Sequence, residues 1–133
     1  MRALVVDDSR MVRRVAARIL RDLGLDVTEA ETGREALDQC RLRMPDVMLL
    51  DWQVGDMDGL GVLRALRDME GGGRAKVVFC TAERSPASIL AALEAGADEY
   101  IMKPFDADIV HSKLVLCGVL PVAGPVPTPE RVA

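Results

Sequence analysis

A chain of 133 residues, 50% hydrophobic and 29% charged, is long enough for one domain with a sizeable core and too apolar for a disordered regulator. Its net charge of −4 argues against a nucleic-acid-binding surface, and no apolar run reaches the ~18 residues a bilayer span needs. The opening apolar stretch turns acidic at Asp7-Asp8, too early for a secretory signal, so a cytoplasmic protein is expected.

Ala3 to Val6 is apolar without alternation, the pattern of a strand buried on both faces. Ser9 caps the helix that follows. Met11, Val12, Val15, Ala16, Ile19, Leu20 and Leu23 recur along it at three- and four-residue steps and are expected to face the core. Arg10, Arg14, Arg18 and Arg21 mark its solvated side, and Gly24 stops it. A second, shorter strand is expected around Val27. Thr32 and Glu35 have the spacing of a capping box, and the helix they open ends before Pro45. Val47 to Leu50 forms the third strand. Asp58 caps a helix carrying Leu60, Leu63 and Leu66, and Gly71-Gly72-Gly73 reads as a flexible turn. Val77 to Cys80 is the fourth strand. Ser85-Pro86, a cap followed by a first-turn proline, opens a helix with Ile89, Leu90 and Leu93 that ends at Gly96. Tyr100 to Met102 is the fifth strand. Phe105 precedes the cap Asp106 and staples onto Val110 in a last helix running to about Leu120.

Strands and helices in strict alternation predict an α/β fold, a doubly wound parallel sheet with helices on both faces. The domain is expected over residues 1–120. Pro121, Pro125, Pro127 and Pro129 then forbid a helix, so residues 121–133 read as a flexible, extended tail. Cys40, Cys80 and Cys117 contain no CxxC spacing and read as small buried apolar residues in a reducing compartment. His111 stands alone, which excludes a histidine-rich metal site, and reads as an ordinary helix residue.

In open α/β sheets ligands bind beyond the carboxyl ends of the strands. Asp7 and Asp8 follow the first strand, Asp51 the third, Thr81 the fourth and Lys103 the fifth. Three carboxylates, a hydroxyl and an ammonium are therefore expected in one shallow cleft. The carboxylates repel one another, so a proton or a cation must sit among them. Oxygen-only donors select a hard cation, and so small a set suits Mg²⁺. Cation, ammonium and hydroxyl together suit a phosphoryl group, and Asp51, central among them, is the candidate nucleophile.

Asp7-Asp8, Asp51, Met57-Asp58-Gly59, Thr81-Ala82, Ala95-Gly96-Ala97 and Lys103-Pro104-Phe105 occur in the order and spacing of a known family. The chain resembles the receiver domains of two-component response regulators, and in particular stand-alone regulators of the chemotaxis type, over about residues 3–120. That resemblance implies a flavodoxin-like five-stranded sheet of order 2-1-3-4-5 with five helices. It implies that Asp51 accepts a phosphoryl group from a histidine kinase or a histidine phosphotransfer protein. Asp7, Asp8, Asp51 and the backbone carbonyl of Gln53 would hold Mg²⁺, and Thr81 and Lys103 would bind phosphoryl oxygens. Thr81 and Tyr100 would act as the switch. The fourth helix, fifth strand and last helix would present Pro86, Ile89, Leu93, Met102 and Lys113 to a downstream protein. Such a protein is no metabolic enzyme, inserts into no membrane, and is a monomer or a weak phosphorylation-dependent dimer.

Two departures stand out. The family often has proline where this chain has Gly55, so the loop after Asp51 is expected to be more mobile and the metal carbonyl less firmly held. Gln53 and Glu83 occupy the positions that flank the phosphoryl group, where they are expected to tune its lifetime. Three other readings compete. A phosphohydrolase with Asp7 as nucleophile usually carries a second aspartate where Ser9 stands. A flavin module of the same topology would have its phosphate repelled by Asp7-Asp8. A receiver cut from a longer transcription factor or hybrid kinase would use the proline-rich tail as linker.

Overall fold

A computed structural model describes residues 1–83 and 85–122. The strands are β1 (Arg2–Val6), β2 (Asp26–Ala30), β3 (Val47–Leu50), β4 (Gln53–Val54), β5 (Met57–Asp58), β6 (Lys76–Thr81) and β7 (Glu99–Met102). The helices are α1 (Arg10–Asp22), α2 (Gly33–Leu42), α3 (Gly59–Asp68), α4 (Pro86–Glu94) and α5 (Ala107–Leu116). The main sheet is parallel in the order β2-β1-β3-β6-β7, with β4 and β5 forming a separate antiparallel hairpin. The expected doubly wound fold is therefore present, and β2 is an edge strand as long as β1.

Alternate side chains of each buried strand enter opposite cores. Leu4, Val6, Met48, Leu50, Val77 and Phe79 pack with α2, α3 and Ala92 of α4 on one face. Ala3, Val5, Val47, Leu49, Val78 and Ile101 pack with α1 and α5 on the other. This explains the unbroken apolar runs. Cys40 and Cys80 are buried within these layers, Cys117 is half-buried and all three are free thiols.

Every cap read from the sequence forms. Ser9, Thr32, Asp58, Ser85 and Asp106 accept N–H groups from the first turns of α1 to α5. The side chain of Glu35 reaches back to the N–H of Glu31, one residue before the cap.

Several expectations need correction. The last helix stops at Leu116, not near Leu120. Gly118 turns left-handed at φ +83°, and Val119 N–H bonds back to the Leu114 carbonyl at 2.9 Å, which closes the helix and buries Val119. Within the glycine triplet, read as a flexible turn, Gly73 is exposed but the middle residue is packed. Gly72 is buried, and a Cβ on it would lie 1.7 Å from the Leu66 carbonyl oxygen. Met11 and Val15 are not core residues, being 76% and 48% exposed, because α1 buries its Ala16, Ala17 and Leu20 side instead. The loop after Asp51, expected to be mobile, makes specific contacts. It folds into the β4–β5 hairpin, Gly59 N–H bonds the Trp52 carbonyl, and the Asp56 carboxylate bonds the first turn of α2. The tail expected from residue 121 lies, from residue 123 on, outside the described residues.

Candidate functional site

The carboxyl ends of β1, β3, β6 and β7 converge as their parallel register requires: Val6 pairs with Leu50, Leu50 with Phe79 and Thr81 with Met102. Asp7, Asp51 and Lys103 are the residues just beyond three of these strand ends. Asp7 is 3% exposed, and its two oxygens have different partners. Oδ1 accepts the Ser9 N–H at 2.8 Å, while Oδ2 lies 2.7 Å from Lys103 Nζ. The same ammonium reaches Asp51 Oδ2 at 3.2 Å, and Asp51 Oδ1 accepts the Trp52 N–H at 2.7 Å. Asp8 is exposed beside them. One carboxylate oxygen from each of Asp7, Asp8 and Asp51 lies within 4.8 Å of the others.

Burial raises the Asp51 carboxyl above the ordinary carboxylate range, and the charge of Asp7 raises it further. Lys103 and the Trp52 N–H pull the other way without offsetting that rise. Burial works to lower the Lys103 ammonium, but its hydrogen bond to Asp7 and the charges of Asp51 and Asp7 prevail, and its pKa rises. Three carboxylates around one ammonium leave negative charge in excess. Their donor atoms are all oxygen, and Asp8 keeps an open side, so the set fits a hard, partly hydrated divalent cation.

Thr81, buried at the end of β6, accepts the Glu83 N–H through Oγ1 at 3.2 Å, and its carbonyl accepts the Lys103 N–H at 3.0 Å. Asp51, Trp52, Gln53, Thr81, Ala82, Glu83 and Lys103 line an open cleft of about 390 Å³. Gln53 is exposed at its rim. Glu83 is half-buried there, and its carboxylate accepts the Ser85 N–H at 2.9 Å, so it also braces the start of α4. Gly59 explains one motif position: a Cβ there would lie 2.5 Å from the Phe79 ring and 2.6 Å from the Asp51 carbonyl oxygen. Beneath the cleft run three aromatic rings, with Trp52 5.4 Å and Tyr100 6.2 Å from Phe79 between centroids. Tyr100 is buried, and its hydroxyl donates to the Glu83 carbonyl. Burial first, then the charges of Glu83 and Asp51, push its phenol upward.

Residues 3–115 match the response regulator receiver domain family. The chain belongs to that family. Its relatives include the chemotaxis protein CheY of Pseudomonas aeruginosa, 36% identical over 115 residues that cover 86% of this chain and 93% of the relative. The structure of Vibrio cholerae chemotaxis protein CheY4 superposes with a TM-score of 0.81 at 29% identity, covering 85% of this chain and 94% of that one. A response regulator from Burkholderia pseudomallei, solved with a phosphorylated aspartic acid, a calcium ion and citrate, has a TM-score of 0.77 at 27% identity. It covers 85% of this chain and 65% of that protein. Receivers of this family are signalling proteins rather than metabolic enzymes. No helix among the described residues of this receiver is long and apolar enough to cross a membrane.

The expected partner face of this receiver is only partly open. Pro86 and Leu93 are exposed on α4. Ile89 and Met102, expected to be exposed, pack against the core, because α4 and β7 close one side of the Phe79 layer. Lys113 is also half-buried, held by Glu99 at 3.0 Å, and is no free surface cation. Three features escaped the sequence reading. Arg13 donates to the Asp7 carbonyl at 2.8 Å and faces Glu29 at 3.4 Å, bracing the acidic turn. Asp56 ties the hairpin to α2. Arg67 gathers the carbonyls of Gly72, Ala75 and Gly96 and the carboxylate of Asp98. No periodic pattern marks these contacts: some close turns five to eight residues long, and the others join residues more than fifteen positions apart.

Proposed function

We propose that this receiver is a phosphorylation-dependent switch in which Asp51 is the phosphoacceptor. The observation that carries the reading is the Asp7, Asp8, Asp51 cluster with Lys103 bridging two of its members at the carboxyl edge of the sheet. The phosphorylated aspartic acid of the Burkholderia pseudomallei structure supports it. One Asp51 oxygen forms a bond to phosphorus as the phosphorus–nitrogen bond to the donor's histidine breaks, and the electron pair returns to the imidazole. Lys103 and the Thr81 hydroxyl take the transferred oxygens. Asp7, Asp8, Asp51 and the Gln53 carbonyl would hold Mg²⁺, whose charge lets a dianionic group approach the carboxylates.

The donor is a histidine kinase or a phosphotransfer protein. It has a suitable seat: Met11, Val12, Val15, Ala82, Pro104 and Phe105 form an apolar cleft of about 440 Å³ that reaches Lys103. Thr81 moving toward the phosphoryl group changes the packing of Tyr100 against Glu83. That altered packing is read by a downstream protein at the face of α4, β7 and α5. Gln53 and Glu83 at the rim set how fast water removes the group. The receiver unit spans residues 1–120, with a tail beyond, in a cytoplasmic protein.

The test is incubation with a small acyl-phosphate donor and Mg²⁺, followed by intact mass. The wild type gains the mass of one phosphoryl group and Asp51→Asn does not. Label that survives in Asp51→Asn but is lost in Asp7→Asn assigns the nucleophile to Asp7 and favours a hydrolase.

A further inference from the structure

Asp56 stands outside the acidic cluster, in the turn of the β4–β5 hairpin. Its N–H bonds the Val54 carbonyl at 2.8 Å, beside Gly55 at φ +71°. Its carboxylate reaches a different element. Oδ1 accepts the Gly33 N–H at 2.8 Å, and Oδ2 accepts the Arg34 N–H at 3.3 Å. These are the first two donors of α2, which its own cap leaves over because Thr32 takes the Glu35 N–H. A carboxylate is favoured there, since the amino end of a helix carries partial positive charge. The approach is close: a Cβ on Gly33 would lie 2.7 Å from Val62 and 2.9 Å from the Met57 sulfur. At its near end the same segment is held by the Gly59 N–H on the Trp52 carbonyl. Gln53 lies between the two anchors.

We infer that Asp56 is a positioning residue for the cation site. By tying the hairpin to α2 it fixes the segment that carries the Gln53 carbonyl, and so takes over the stiffening that proline at position 55 would give. At φ +71° Gly55 has a geometry that proline, locked near −65°, does not adopt. The inference rests on the proposed reading of these four residues as cation ligands.

The test is Mg²⁺ titration of the full chain by calorimetry, with the emission of Trp52 as a second signal. That side chain is the single tryptophan and directly follows Asp51. Asp56→Ala and Asp56→Asn are expected to weaken Mg²⁺ binding about ten-fold, as loss of an outer support does in other metal sites. Thr32→Ala removes a different first-turn partner of the same helix and leaves the tether intact. It is expected to lower thermal stability without changing Mg²⁺ affinity. Equal affinity in wild type and Asp56→Ala overturns the inference. An equal loss in Thr32→Ala also overturns it, because the effect then belongs to helix stability. A wild type that binds no Mg²⁺ overturns the ligand reading, and the inference with it.

Discussion

Burial raises the pKa of Asp51, Cys40 and Cys80 in this receiver, with different consequences at each. At Asp51 it disfavours the carboxylate that the chemistry needs, and Arg13, Ser9 and Lys103 brace the surrounding acidic turn with specific bonds. At the cysteines it simply protects the thiol. Cys40 is pushed up to about 11 and Cys80 to about 12, from an ordinary 9.0, chiefly by burial. A thiol reacts as its thiolate. Iodoacetamide at neutral pH is therefore expected to label half-buried Cys117 first, and Cys40 and Cys80 only after unfolding, as peptide mapping would show. The same shifts set the sign of the alkaline response. Above about pH 9 the unfolded chain releases thiol protons that the native state retains, so stability falls as pH rises toward about 12. Urea midpoints at about pH 8 and about pH 10 check this. At the rim, Gln53→Ala and Glu83→Ala are expected to change the decay rate of the phosphorylated state without preventing its formation. Unaltered decay in both would refute that role.

Among the elements, α1 and α4 both expose apolar side chains. Those exposed side chains carry the proposed contacts, while the opposite side of each helix closes a core. Met11→Asp and Val15→Asp are expected to alter stability by no more than about 0.5 kcal/mol, since neither side chain is buried. They are expected to slow phosphotransfer from a protein donor by about ten-fold while leaving labelling by a small acyl phosphate unchanged. Equal effects on both donors would remove α1 from donor docking. The end of α3 does the opposite work. There Arg67 joins the glycine turn, the start of β6 and the loop between α4 and β7 into one unit, and Gly96, at φ +105°, offers it a carbonyl. Arg67→Ala leaves those carbonyls without their donor and is expected to cost about 2–4 kcal/mol in urea unfolding. Arg67→Lys recovers little of it, since an ammonium cannot reproduce the planar fork.

For the whole molecule, placing buried strands at the centre brings their carboxyl ends, and the charges that follow them, to a single edge. The accumulated charge there is a cost to the fold. Asp51→Asn is accordingly expected to raise the melting temperature in metal-free buffer, because it removes a half-buried charge that Asp7 repels. Mg²⁺ at about a hundred times its Kd is expected to stabilise the wild type by about 2–3 kcal/mol, and the Asp51→Asn variant by less. Differential scanning calorimetry with and without the ion measures both. If Mg²⁺ leaves the wild-type transition unmoved, no cation is held by this edge.

The five main strands, five caps and the order of charged residues after each strand were legible from residue type and spacing. Apolar runs and capping side chains act within a few residues of themselves. Asp7, Asp8, Asp51, Thr81 and Lys103 were legible too, because a parallel sheet sends every strand end after a helix to the same edge. The sequence alone therefore determined the sheet, its helices and the edge where chemistry collects. Only the tertiary structure decided which side of α1 is buried, that Gly72 is packed, that Lys113 is paired, and that Asp56 bonds the loop after Asp51 to α2. Those outcomes depend on contacts between residues from six to more than twenty positions apart, at spacings that leave no periodic mark along the chain.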